Sequence, residues 1–436
     1  MSGRVLVLGL GVTGRAVMDA LVRRDVEVLG VDDRPGSVAR ACAERLAVEL
    51  VEAPAPGDWP RLVGRATEVV VAPGIPDGHP LFAAAEAAGV VVLDESDLAA
   101  RWDDRPRCAV TGTNGKTTVV TLVADMLERS GLRALPSGNT DTPLVAAIDD
   151  AEADLFVVEA SSFRLGHAAN FAASPAVWLN FAPDHLDVHA DLASYEDAKA
   201  RIWEGIASPP DAVANLGDPV VAARAPAGAT GFGAPDAACR IESGLLLLDG
   251  SPVVEVAALP RSMPHDLENA QAACAVAVRS GATVEACADS LRGFGGLEHR
   301  MSFVAEVDGV RYVDDSKATT PHATLTALSG LPGAVLIAGG RNKGLDLTRL
   351  ADGRPGAVVA IGEAADAVAA AFDGRCPVVV ASSMEEAVRA ARRSAAGTGT
   401  VLLSPGCSSF DWYGSYADRG RDFQRIVRSF AGTGEA

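Results

Sequence analysis

Short, almost wholly apolar runs recur along this chain and stop where a glycine-rich or polar turn begins. RVLVL at 4–8, LFVVE at 155–159, VLIAGG at 335–340, AVVAIG at 357–362 and TVLLSPG at 400–406 are the clearest. Helical, alanine-rich stretches lie between them. Strands that alternate with helices imply parallel, doubly wound sheets. The fold class expected is therefore α/β. In such sheets ligands bind beyond the carboxyl ends of the strands, so the turns after each run are where function is to be sought.

The 436 residues are long enough for several cores. Three units are expected, at 1–103, 104–296 and 297–436. In the first, a strand at 4–8 leads through Gly9, Gly11 and Gly14 into a helix at 12–24. A second strand at 27–31 ends at Asp32, and others follow at 68–71 and 90–93. The charged stretch 101–107 reads as a linker. The second unit opens on a strand at 108–110 and continues with strands at 155–159 and 176–180. A helix at 194–206, a β-rich patch at 240–256 in which GLLLLDGSPVVEV (244–256) reads as a hairpin, and helices at 266–280 and 283–292 complete it. GFGG at 293–296 reads as a hinge on which domains close over substrates. The third unit alternates again from VRYVDDS at 310–316 and a helix from His322.

Charge narrows the ligand. There are 38 basic and 57 acidic residues, a net charge of -19. A duplex-binding surface needs clustered positive charge, so no nucleic acid is expected. An anionic ligand must be held by a few cations, helix N-termini and metal ions. The seven cysteines are scattered, without a CxxC pair, and read as reduced thiols of a cytoplasmic protein. The N-terminal residues carry no signal-peptide pattern, and no apolar run approaches the roughly 20 residues of a membrane span, so no membrane insertion is expected.

The turn after the strand at 108–110 is Thr111-Gly112-Thr113-Asn114-Gly115-Lys116-Thr117-Thr118. Glycines let backbone N–H groups approach phosphate oxygens, and the following helix adds positive potential. Lys116 is placed to meet the β- and γ-phosphates and Thr117 to meet magnesium. Val110 stands where the full phosphate-loop pattern has its first glycine. Glu159 and His185 follow two other strand ends and are the candidate partners for the metal. In the first unit Gly9-Leu10-Gly11-Val12-Thr13-Gly14, with Asp32, matches a dinucleotide fingerprint, and the same loop would hold the diphosphate of a UDP-sugar. An NAD-dependent oxidoreductase and a non-catalytic nucleotide sensor therefore stand beside an enzyme that uses ATP.

Only four of the 38 basic residues are lysine: Lys116, Lys199, Lys317 and Lys343. Where arginine is so strongly preferred, a retained lysine marks a site that needs a compact ammonium or a neutral amine. By local pattern alone Lys199, in a polar helix, reads as a solvated partner of Tyr195 or Glu196. Cations and hydroxyls also follow strands in the third unit, in Asp314-Asp315-Ser316-Lys317-Ala318-Thr319, Gly339–Lys343 and Ser404–Ser409. They suit a small dicarboxylate. Cys407 has no catalytic partner in the sequence and reads as packing.

TGTNGKTT, EASSFRL (159–165), NFAPDHLDVH (180–189), YEDAKARI (195–202), HR (299–300), DDSKAT (314–319) and SPGCSSFD (404–411) together resemble the Mur ligases of peptidoglycan synthesis. The resemblance spans essentially the whole chain and is strongest to the branch that adds glutamate. It implies an N-terminal Rossmann-like domain, a central P-loop ATPase-like parallel sheet and a C-terminal Rossmann-like domain. It implies a cytoplasmic, monomeric enzyme that uses ATP and magnesium to join glutamate to UDP-N-acetylmuramoyl-L-alanine through an acyl phosphate. By matching position, Gly112, Thr113, Asn114, Gly115, Lys116, Thr117, Thr118, Asn269, Arg300 and Asp315 would serve ATP. Thr117, Glu159, His185 and a carbamylated Lys199 would serve the metals. Gly11, Val12, Thr13, Asp32, Asp33, Gly74, Asn139 and Ser161 would hold the UDP substrate. Lys317, Thr319, Lys343, Ser409 and Tyr416 would serve glutamate. Six positions depart from the family pattern: Asp266, Ala160, Arg164, Thr140, Asp141 and Thr320.

Overall fold

A computed structural model describes residues 3–140, 142–185, 188–395 and 399–431. Three sheets form, and the α/β class expected from the alternating runs is what the chain adopts. The first two sheets lie in one compact unit. The third lies in a second unit built mainly from residues 295–436.

The first sheet has five parallel strands in the order Glu49–Glu52, Val28–Asp32, Val5–Leu8, Glu68–Val71, Val91–Leu93. The chain fills one side of Val5–Leu8 and then crosses to the other, which makes a topological switch point at that strand. Leu8 is in register with Val71. The turns that follow, with Gly11 to Thr13 on one and Gly74 on the other, therefore leave the sheet side by side.

The second sheet has nine strands. Parallel strands run in the order Thr230–Phe232, Ala212–Asn215, Ala176–Trp178, Arg107–Thr111, Leu155–Glu159, Ala134–Gly138. Cys239–Glu242 extends the parallel edge, and Leu245–Leu248 and Ser251–Glu255 add antiparallel strands beyond it. Arg107–Thr111 sits between the strands that end at Glu159 and Trp178. Val110 pairs with Glu159 and Thr111 with Trp178, so the phosphate-loop sequence emerges between those two ends. Helix Lys116–Arg129 buries Val119, Val120, Leu122, Val123, Met126 and Leu127. That face holds the first turn of the helix, and with it Lys116 and Thr117, over the strand ends.

The third sheet runs Ser302–Val307, Val310–Asp314, Thr400–Leu403, Val335–Gly339, Ala357–Ile361, Val378–Val380, with only the first pair antiparallel. Asp314 and Ile337 both pair with Leu403. The two lysine-bearing loops and the Ser404–Ser409 loop thus leave adjacent strands.

Two local expectations need correction. Helix Glu95–Trp102 occupies the start of the expected 101–107 linker, and a strand begins at Arg107. An Asp94–Asp97 capping box starts that helix. The helix expected at 194–206 is Leu192–Ala200, tightened into a 3-10 turn at Arg201–Trp203. The hairpin expected at 244–256 forms from Leu245–Leu248 and Ser251–Glu255, and Cys239–Glu242 pairs alongside it.

Candidate active site

The phosphate loop depends on backbone that only glycine adopts without strain. Gly112 has φ 155° and Gly115 φ 87°. A Cβ on Gly115 would stand 2.6 Å from Asn269 Oδ1, and one on Gly112 2.9 Å from Leu179 Cβ. Gly115 begins the helix without a side-chain cap, the arrangement a phosphate cradle needs. Asn180 braces the loop from the neighbouring strand end. Its backbone carbonyl accepts the Thr113 N–H at 3.1 Å. Its side chain accepts the Asn114 N–H at 2.9 Å and donates to the Asn114 carbonyl at 3.1 Å.

Two ammonium groups converge on this loop. Lys116 Nζ donates to Gly112 O at 2.7 Å and to Thr113 O at 2.9 Å. Lys199 Nζ donates to the same Gly112 O at 2.9 Å. Lys199 is 1% exposed and its nitrogen lies over the Tyr195 ring, 4.8 Å from the centroid. The solvated reading of its helix is thereby overturned. Tyr195 also turns inward, and its hydroxyl is 3.2 Å from Thr113 Oγ1.

Thr117 Oγ1 donates to Glu159 Oε2 at 2.8 Å. Asn139 donates to Glu159 twice, from Nδ2 to Oε1 at 3.3 Å and from its backbone to the carbonyl at 2.8 Å. A hydroxyl and a carboxylate side by side are hard oxygen donors of the kind magnesium takes, with phosphate oxygens and water completing its shell. These residues fit the ion implied above. Among the described residues, no three His, Cys, Asp or Glu side chains group to form a metal cage of their own. His185 sits with φ 56° and its ring meets Phe163 edge-on at 4.6 Å. On the flank of helix Lys116–Arg129 a small open pocket is lined by Thr118, Leu259, Arg261, Asp266 and Asn269 among others. Asn269, an expected adenosine-side residue, is one of the lining residues. Asp266 accepts from Arg261 Nε at 3.0 Å.

In the first sheet, Asp32 accepts the backbone N–H groups of Leu10 at 2.6 Å and Arg34 at 2.8 Å. The carboxylate braces the glycine turn with both oxygens, and that is its observed use. Val12 is exposed at the mouth of that turn. Asp33 meets His79 at 3.2 Å. Gly74, at φ 90°, has open space around it. Ser161 caps helix Ser162–His167 by accepting the Arg164 N–H at 3.3 Å.

In the second unit, Asp315 accepts the Ser404 hydroxyl at 2.8 Å and the Met301 N–H at 3.2 Å, and burial pushes its acid up to about 7. The Arg300 N–H donates to Leu297 O at 3.2 Å, on the segment next to Met301. Lys317 Nζ lies 3.9 Å from the centroid of the Tyr416 ring, so two expected glutamate positions do meet. Ser409 is buried and its carbonyl accepts the Trp412 and Tyr413 N–H groups. An Arg341–Ser408 bridge ties the loop of Lys343 to that of Ser409. Lys343 itself is exposed and Thr319 half-buried. Cys407 is buried in the sheet core, where its thiol is pushed up to about 12.

Family models match almost end to end: the N-terminal domain described as Mur ligase MurD-like at 3–94, the Mur ligase middle domain at 110–277 and the Mur ligase glutamate ligase domain at 299–407. The UDP-N-acetylmuramoylalanine--D-glutamate ligase of Frankia casuarinae is 41% identical over 98% of this chain and 94% of that protein. The protein of the same name from Methylococcus capsulatus is 40% identical over 98% and 95%. This chain belongs to the Mur ligase family. Among solved structures, a pseudomurein peptide ligase type C from Methanothermus fervidus superposes with TM-score 0.62 at 16% identity, covering 98% of this chain and 99% of that one. The UDP-N-acetylmuramate-alanine ligase MurC from Thermotoga maritima gives 0.60 at 16%, over 98% and 99%. At that identity the two speak for the Mur ligase fold alone.

The departures from the Mur ligase pattern now have physical readings. Thr320 is the N-cap of helix Pro321–Ser329 and accepts the Ala323 N–H at 3.3 Å, so one capping residue replaces another. Ala160 is buried in the core beside Phe156 and Val158. Asp141 lies outside the described residues. Arg164 does not face a ligand: it is fully buried and paired with Asp94 at 2.8 Å and with Glu95. Glu95 also accepts the Leu144 and Val145 N–H groups, and Asp97 those of Ala169 and Asn170. The 94–97 segment of this Mur ligase is therefore a buried anionic plate on which two central-domain segments dock.

Several site-supporting residues went unassigned from sequence. Asn180 and His189 lie inside NFAPDHLDVH, and Tyr195 opens YEDAKARI, yet nothing in the strings separates supports from ligands. Arg419 was one arginine among many. It is 1% exposed and ties Ser316, beside Lys317, to the Cys407 carbonyl with bonds of 2.8 to 3.1 Å.

Proposed function

We propose that the chain is an ATP-dependent, ADP-forming ligase that joins D-glutamate to UDP-N-acetylmuramoyl-L-alanine in peptidoglycan precursor synthesis, acting as a monomer in the cytoplasm. No helix among the described residues is long and apolar enough to cross a membrane. The observation that carries the reading is the Thr117–Glu159 pair beside a phosphate loop on which Lys116 and Lys199 converge. The names borne by relatives at 34–41% identity supply the acceptor and the amino acid.

A carboxylate resists an amine until one oxygen becomes a leaving group. The acceptor carboxylate attacks the γ-phosphorus, its bond to ADP breaks, and an acyl phosphate forms. The glutamate amine then adds to the acyl carbon, phosphate departs, and the amine proton is lost. Lys116 would meet the charge that gathers on the transferring phosphoryl group. Magnesium, held by Thr117 and Glu159 with help from His185, would draw charge from the phosphate oxygens. Lys199 is proposed to carry a carbamate. Like charges oppose two ammonium groups on one carbonyl, and a carbamate turns one of them into an oxygen donor for the metal. Gly112 to Thr118, with Asn269, Arg300 and Asp315, would hold ATP. Gly11, Val12, Thr13, Asp32, Asp33, Gly74, Asn139 and Ser161 would hold the UDP substrate. Lys317, Thr319, Lys343, Ser409 and Tyr416 would bind glutamate.

The test is phosphate release with UDP-N-acetylmuramoyl-L-alanine, ATP and magnesium against a panel of amino acids. Release only with D-glutamate is expected. Release with the L-isomer or another amino acid instead, or ATP turnover indifferent to the acceptor, would refute the assignment.

A further inference from the structure

Beside the candidate metal site lies a buried polar group that the reaction above leaves unused. His189 is 4% exposed. Its Nε2 is 2.9 Å from Ser162 Oγ and its Nδ1 3.3 Å from Asp77 Oδ2. A carboxylate only accepts, so Nδ1 carries the proton toward Asp77. In the neutral ring Nε2 then accepts the Ser162 hydroxyl. The order Asp–His–Ser copies a hydrolase triad. Ser162, however, is 2% exposed in the first turn of its helix, where no substrate carbonyl reaches it. The group holds geometry instead.

Each member belongs to a different part of the site. Asp77 lies in the turn that carries Gly74, and its N–H donates to Val188 O at 3.2 Å. His167 Nε2 faces the same carboxylate at 3.9 Å. Ser162 follows Ser161 on the turn after Glu159. The His189 N–H donates to the carbonyl of His185 at 3.0 Å. The Phe163 ring stacks on His189 at 5.6 Å and 24° while meeting His185 edge-on. The ring of Tyr195, which reaches Thr113, lies 5.2 Å from that of His189 between centroids.

We propose that His189 is a positioning residue. Through Asp77 it pins the Gly74 turn of the UDP-sugar end to the turn bearing Glu159 and Ser161, so that the acceptor carboxylate arrives at the phosphate loop. This rests on the ligase reading. Hydrogen bonds to a charged acceptor are stronger than those between neutral groups, and His189 bonds to both turns.

His189→Phe keeps a ring against Phe163 and deletes both side-chain bonds. In the full-length protein it should raise KM for UDP-N-acetylmuramoyl-L-alanine roughly 10-fold, with KM for ATP unchanged within about twofold. Asp77→Ala should raise the same constant, and the double variant should be no worse than the worse single one. His189→Gln, which keeps a donor and an acceptor, should recover most of the loss. Should the Phe variant not fold, Asp77→Ala and Ser162→Ala carry the same split, since the Asp77 side chain is 34% exposed. Equal rises in both Michaelis constants, a fall in kcat alone, or additive effects of the Asp77 and His189 changes would overturn the proposal. Wild-type protein that releases no phosphate from these substrates refutes the ligase reading itself, and is measured before any variant.

Discussion

Lys199 is where packing and chemistry make opposite demands. A buried ammonium is costly and a guanidinium is the better-packed cation, yet lysine is kept. Lys199→Arg should abolish ligation, because a guanidinium takes up no carbon dioxide, and should leave ATP binding by calorimetry nearly intact. Retained turnover would remove the carbamate. Asp315 makes a second demand, through pH. Its acid titrates near 7 when folded, against 3.8 for an unperturbed aspartate. Between those values the folded chain keeps a proton that the unfolded chain has released, so this group makes stability fall as pH rises from about 4 to about 7, and the loss is complete above that. Asp315→Asn should flatten the fall by at most about 1.4 kcal/mol per pH unit, measured by urea unfolding across that window. Identical slopes would refute the assignment. Residues of this kind were legible where chemistry restricts the residue type, as at Lys116, Thr117 and Glu159. They were not legible where support comes from burial, because nothing local in a sequence marks His189 or Asn180 as enclosed.

At the scale of elements, the glycine turn and phosphate loop were readable because each joins an apolar run to a helix by residues that need positive φ. The anionic plate at 94–97 was not. Four consecutive polar residues normally read as surface, and here all four are buried. Burial raises the Glu95 acid above its usual range, opposed by Arg164. Arg164→Met leaves two carboxylates without their cation and should cost about 3–5 kcal/mol in chemical unfolding. Replacing Asp94 by Asn and Glu95 by Gln in the same chain removes the charge and keeps acceptors for the Ser96, Leu144 and Val145 N–H groups, and should recover part of that. If the single change costs under about 1 kcal/mol, the range of an exposed pair, the plate does not depend on Arg164.

For the whole molecule, the repeated apolar runs were enough to forecast three parallel-rich sheets. The strands they did not reveal, such as Glu49–Glu52 and Ala134–Gly138, are half exposed or carry proline and glycine, which erases the signature. The seven thiols are all free, five of them buried and only Cys42 and Cys376 partly exposed. Burial pushes Cys108 and Cys239 up to about 12, far from the thiolate that reacts. Native protein treated with iodoacetamide should gain label at Cys42 and Cys376 at most, and at all seven in denaturant, as read by intact mass. Native labelling of a third cysteine would reveal an opening of the core.

The buried plate also limits how the chain can be recombined. A crossover with a relative near residue 103 would inherit Asp94, Glu95 and Asp97 from one parent and Arg164 from the other. The N-terminal sheet is thus not an interchangeable cassette. A working chimera must transfer the acidic turn together with the arginine that neutralises it and the backbone donors at 144–145 and 169–170.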